Sequence, residues 1–242
     1  MSTLWFVFHV MKRTRGPINA LQKNKVDSIN KVDSIITKSI ISDSANNKKV
    51  DSLLDRKSIK IGSQTWSSEN LNVSKFRNGD KIPEANSYEK WIALGADEKP
   101  AWCYYKEEKS NGIKYGKLYN WFAVNDPRGI APLGWHVPDQ SEFGALIEHL
   151  GGFEIAGKKM KSKSGWSSVW EGKSSNFEAL PSGVRTIHGT FYGVGEGTMF
   201  WTSSSKYVTS SVSVCLWNDR DSISFGHLMK HNGYSVRVIK DK

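Results

Sequence analysis

Apolar and polar positions along this chain follow two periods, and the clearest pattern lies at residues 140–150. Phe143, Leu146, Ile147 and Leu150 recur at i, i+3, i+4 and i+7, one apolar stripe on a helix of about three turns. Asp139 just before the stripe is an N-cap, and Glu142 three residues later completes a capping box. Gly151 and Gly152 end the helix, since glycine accepts the left-handed conformation that closes one. Residues 88–94, YEKWIAL, predict a second short helix. Elsewhere the period shortens. The run IKIGSQTWSSENLNV reads as a strand, a glycine turn and a further strand-like piece ending at Val73, and Asn78-Gly79 marks another turn. AWCYYK at 101–106 predicts a buried strand, while YGKLYNWFAV at 115–124 fits a strand or a helix. After the capped helix, Val212–Trp217 and Tyr234–Ile239 alternate as antiparallel strands do. The expected fold class is α+β, with helices early and a β-rich C-terminal half.

Charge separates the chain into two regions. Residues 1–57 carry 11 Lys/Arg against 5 Asp/Glu, a net of +6, and the remaining residues carry 23 against 19, a net of +4. The first region repeats Val-Asp-Ser in NKVDSINKVDSI and KKVDSL, and Val26, Ile29, Val32, Ile35 and Ile36 would share one helix face. An isolated helix of that length is marginal in water. Residues 1–57 therefore read as a tether, poorly ordered alone or partly helical, and 58–242 as the globular domain. The start, MSTLWFVFHVMKRTRG, places its apolar run before its basic residues, the reverse of a secretory signal. No apolar run reaches the length a membrane span needs. The balanced charge of the second region excludes a nucleic-acid footprint there.

Chemistry-bearing residues are sparse. Nine of ten tryptophans fall between Trp66 and Trp217, a loading that suits a Trp-stacked core. The six histidines sit near no nucleophile-elbow motif, and His227 and His231 flank a turn rather than sharing a helix face. Lys158, Lys159, Lys161 and Lys163 read as a solvated positive loop. Cys103 and Cys215 are too few for a disulfide framework, and one bridge or two buried thiols fit equally.

Several runs in a fixed order carry a resemblance: IGSQTWSSENLNV, AWCYY, NGIKYGKLYNWFAVNDPRGIAPLGWHVPDQSEF, ALPSGVR, FWTSS and GYSVRVIKD. Residues 58–241 resemble the Fibrobacter succinogenes major paralogous domain family, whose members are mostly exported or surface-attached bacterial proteins with no established shared activity. That family is similar to the C-type lectin-like superfamily and the formylglycine-generating enzymes. The resemblance implies a C-type lectin-like fold with a twisted antiparallel sheet and long loops, located outside the cell or on a bacterial surface. It implies structural roles for Trp135, Asp139 and Glu142, and an internal ion pair bracing the fold at Arg185 and Arg237, since a buried guanidinium needs carboxylate or carbonyl partners. Family members often have cysteine where Val238 stands, which would partner Cys103; here only Cys215 could replace it.

The same resemblance directs attention to residues 185–232 as a loop-rich binding face, with Tyr192, Phe200, Trp201, Trp217 and Asn218 as candidate contacts to a polysaccharide or protein. Leu216-Trp-Asn-Asp219 is like the calcium segment of sugar-binding lectins, but residues 192–197 read YGVGEG where a companion acidic segment would stand, so no metal or other cofactor is expected. No reactive cysteine pair stands near the C-terminal end. The expectation is a non-enzymatic surface or secreted binding and adhesion module; the alternative is an assembly subunit of a surface fibre or larger complex, docking other subunits through residues 1–57, and an enzyme of unknown type ranks third.

Overall fold

The Asp139 carboxylate accepts a hydrogen bond from the Glu142 amide at 2.8 Å, and the Glu142 carboxylate accepts one from the Asp139 amide at 2.9 Å. The computed structural model describes this capped helix within Ser28, Lys31 and residues 57–168 and 175–242. The chain divides into two units, Met1–Asn46 and Asn47–Lys242, and the description below concerns the second. The tether expected over residues 1–57 lies outside the described residues, apart from Ser28, Lys31 and Lys57.

In chain order the strands are β1 Ser58–Ile61, β2 Gln64–Ser67, β3 Trp102–Cys103, β4 Leu118–Tyr119, β5 Trp135–His136, β6 Ser182–Arg185, β7 Phe191–Val194, β8 Gly197–Ser205, β9 Ser210–Trp217, β10 Ile223–Met229 and β11 Ile239–Lys240. The described helices are α1 Tyr88–Ala96, α2 Lys109–Tyr115, α3 Trp121–Val124, α4 Gln140–His149 and α5 Phe153–Met160, with one 3-10 turn at Tyr105–Glu107. The architecture is mixed α+β. A five-stranded sheet runs β10-β9-β8-β6-β7, a four-stranded sheet β1-β2-β11-β5, and β3 pairs with β4.

Strand alternation gives the five-stranded sheet two covered faces. Met199, Trp201 and Cys215 enter one hydrophobic cluster with Tyr119, Trp121 and Val236. Their neighbours Phe200, Val214 and Leu216 enter another, with Trp66, Phe177 and the α4 stripe. Each buried side chain of this size contributes about 1.5–3 kcal/mol. The α4 stripe lands as its period requires: Phe143, Leu146 and Ile147 are fully buried, and Phe143 lies 4.9 Å from the Trp66 ring.

Three local expectations change. The strand expected over 101–106 stops at Cys103, because Lys106 and Glu107 turn with positive φ and carry the Glu107 carboxylate to Arg185. The strand expected over 234–239 is instead a crossing between sheets. Ser235 exchanges backbone hydrogen bonds with β8 at Met199 and Trp201, whereas the Val238 carbonyl accepts from Ser67 at the end of β2 and the Val236 carbonyl from Leu71 beyond it. The lysine loop is partly helix. Ala156 and Met160 bury one face of α5, and a Cβ at Gly157 would stand 2.6 Å from the Ser222 carbonyl oxygen. Lys161 is buried rather than solvated, and its ammonium donates to the Arg220 carbonyl at 2.7 Å.

Candidate functional site

The two arginines expected to brace the fold are both fully buried, by different means. Arg185, on β6, donates to Glu107 at 2.8 Å and to the carbonyls of Ala85, Ser87 and Gly189, between the rings of Trp91 and Phe191. Arg237 has no carboxylate within ion-pair reach among the described residues; it donates to Asn70 Oδ1, Ser67 O and Glu178 O, and stands over Phe177. Burial pulls its pKa down to about 9, against the favourable charges of Glu69 and Glu178. The cation is therefore held by dipoles and a ring face.

Above Arg237 opens a groove of about 390 Å³, lined from the segments that carry Asn70 and Asn72, Gly112 to Gly116, Ser162 and Ser164, and Glu178 and Leu180. Its walls are tied before any ligand arrives. Asn70 donates to Tyr115 O while accepting from Arg237, and Asn72 donates to Gly112 O while accepting from the Lys117 ammonium. Lys117 stands over Trp102 at 4.4 Å, and burial lowers its pKa to about 8. Gly112 and Gly116 bring backbone to the groove: a Cβ on Gly112 would meet the Tyr104 ring at 2.1 Å, and Gly116 has φ +75. The exposed rim carries Lys114, Ser164 and Glu69, whose carboxylate is paired with the Lys57 ammonium at 2.9 Å. Sequence reasoning missed this groove, because its parts come from four separated segments.

A second hollow of about 300 Å³ lies beside α4 and β11. His136, on β5, bridges Asp241 at 2.6 Å through Nδ1 and Glu142 at 2.9 Å through Nε2, tying β5, the capping box and the chain beyond β11. Burial opposes the positive charge, but the hydrogen bonds and charges of Asp241 and Glu142 outweigh it, so the His136 pKa lies above 6.5. A raised native pKa contributes stability that is complete below the unfolded value and lost as pH rises through the native one. His136→Gln is thus expected to cost more stability near about pH 5.5 than near about pH 8. Urea midpoints of both proteins at the two pH values check this; an equal cost at both would contradict it.

The face expected to bind ligand is only partly a surface. Phe200 and Trp201 are fully buried core, a correction to their reading as contacts: Phe200 packs against Phe177, and the Trp201 indole donates to Tyr119 O at 2.8 Å. Tyr192 is exposed on β7, while Trp217 and Asn218 are half-buried, Trp217 against Gly197 and Asn218 with its amide donating to Glu196 O. The disulfide weighed for Cys103 and Cys215 does not form; both are buried free thiols in different hydrophobic clusters. Burial pushes the Cys103 thiol up to about 12, so it is no nucleophile. Asp219 is engaged by Arg220, His227 packs on Tyr207 and His231 on Phe122. Among the described residues no three His, Cys, Asp or Glu side chains converge to hold a metal, and no described helix is long and apolar enough to cross a membrane.

The family model described as Fibrobacter succinogenes major domain matches residues 59–240. No curated protein and no solved structure matches the chain.

Proposed function

The chain belongs to the Fibrobacter succinogenes major domain family, and from that premise we propose a non-enzymatic binding module at or beyond a bacterial cell surface, with a C-type lectin-like fold and a groove that takes a neutral saccharide. The observation that carries this reading is the groove above Arg237. The Asn70 and Asn72 amide groups in its walls are locked by partners within the fold, so the groove is preformed and little ordering is lost on binding. Glu69 and Lys114 give the rim both signs of charge, which suits hydroxyl groups that donate and accept rather than a charged ligand. Each nitrogen of Arg237 donates to an oxygen of the fold, and these partners include no base, which favours holding over transforming. Docking of other subunits through residues 1–57 concerns a segment that, apart from Ser28, Lys31 and Lys57, lies outside the described residues.

A glycan array probed with the full chain tests the reading, followed by titration of the retained oligosaccharide. Ser164→Tyr, on the exposed rim, is expected to weaken binding at least about tenfold while Tyr192→Ala leaves it unchanged. No retained glycan, or the opposite order of the two variants, would overturn the groove as the site.

A further inference from the structure

The five-stranded sheet ends at β10, which pairs with β9 in unbroken register through all seven of its residues. Among the described residues no backbone hydrogen bond from outside that pairing reaches Ser224–Leu228. The N-terminal end is covered differently: the Lys158 amide of α5 donates to Asp221 O. Native edges are usually blunted by a bulge, a proline or an inward charge, and β10 carries none of these.

Beside this open edge runs an apolar strip. Alternation puts Phe225, His227 and Met229 on one face of β10. Phe225 meets Phe153 edge-on at 5.6 Å, His227 meets Tyr207 edge-on at 5.4 Å, and Met229 is 43% exposed. At the tip of the β8–β9 hairpin Val208 is 88% exposed. The surroundings are basic: residues 197–218 and 222–240 contain no Asp or Glu, whereas Lys206, His227 and Lys230 stand in them. The carboxylates at the far end are Asp219, paired with Arg220, Asp221, paired with Lys158, and Glu154 in the first turn of α5.

We infer that β10 accepts an extended segment of a partner protein as an added strand, one that alternates carboxylates with apolar side chains. Main-chain hydrogen bonds to the free edge would supply affinity, the strip would take the apolar side chains, and the lysines would select acidic ones. A second copy of this chain fits less well. Two β10 strands side by side would bring like charges together without a carboxylate between them. This surface is separate from the saccharide groove and does not depend on it.

The test uses a fluorescein-labelled (Glu-Val)4 peptide and the full chain, read by anisotropy. Saturable binding is expected, at least about tenfold tighter than for (Lys-Val)4 and weaker at high salt. Met229→Glu and Val208→Glu, both at exposed positions, should each weaken it about tenfold or more, with the far-ultraviolet circular dichroism unchanged. N-methylating alternate peptide amides should abolish binding in one phase and spare it in the other, because an added strand turns only one edge to β10. The groove variant Ser164→Tyr should bind this peptide as wild type does. No saturable binding, equal loss in both methylation phases, or a dimer that Met229→Glu dissolves would each overturn the inference, the last by naming a second copy as the occupant.

Discussion

Arg185→Ala is expected to lower the unfolding free energy by about 3–5 kcal/mol, the range for truncating a large buried side chain, here one that also leaves buried acceptors short of donors. The guanidinium joins three segments at once: the carbonyls of Ala85 and Ser87 before α1, Glu107 in the 3-10 turn, and Gly189 in the turn after β6. Truncation takes the side-chain donor from the Ala85 and Gly189 carbonyls, leaves Ser87 O only the Trp91 amide, and opens a gap between Trp91 and Phe191. Glu107→Gln should cost much less, since the Glu107 side chain is 32% exposed and an amide oxygen still accepts the hydrogen bond. Arg185→Lys should recover only part of the loss, because a point ammonium cannot span the planar fan of acceptors. Urea denaturation of the three variants measures this. A loss under about 1 kcal/mol for Arg185→Ala would show that the guanidinium does not brace the fold.

Trp201→Ala is expected to cost about 3–5 kcal/mol, the range for deleting a buried Trp. The ring lies 4.5 Å from Tyr234, and its indole N–H donates to the Tyr119 carbonyl, so truncation leaves a cavity and removes one of the two hydrogen bonds to that carbonyl, the Tyr234 amide keeping the other. Trp201→Phe should be milder, as it keeps most of the volume and loses the hydrogen bond. The same experiment separates core from contact: Trp201→Ala should move the thermal midpoint by many degrees, while Tyr192→Ala on the exposed β7 edge should leave it nearly unchanged. A stable Trp201→Ala protein with altered ligand binding would return that residue to the binding face.

Patterns that repeat within about ten residues were legible without coordinates. The α4 stripe, its capping box and its glycine stop are satisfied by neighbours in sequence, so local rules sufficed. The hairpin of β1 and β2 is local in the same way, with Gly62 at φ +60 in its turn. Arg237 was legible as a buried cation in need of partners, though the partners proved to be dipoles instead of a carboxylate. What alternation could not reveal is which face of β8 is core. Both faces are covered, so apolar Met199, Phe200 and Trp201 follow one another and resemble the adhesive surface of a binding loop. Helix α5 was hidden for a related reason: Gly157 reads as a helix breaker until the close carbonyls of Asp221 and Ser222 explain it.

By itself the sequence determined the α+β class, the family, the capped helix and the need to satisfy two buried arginines, because each depends on residue type and short-range spacing. The tertiary structure alone decided that Phe200 and Trp201 are interior, that Cys103 and Cys215 lie apart, and that four distant segments close into a groove over Arg237. The physical reason is that burial and convergence are properties of how separated segments pack, and nothing in a chain's local period records which of its faces will meet another.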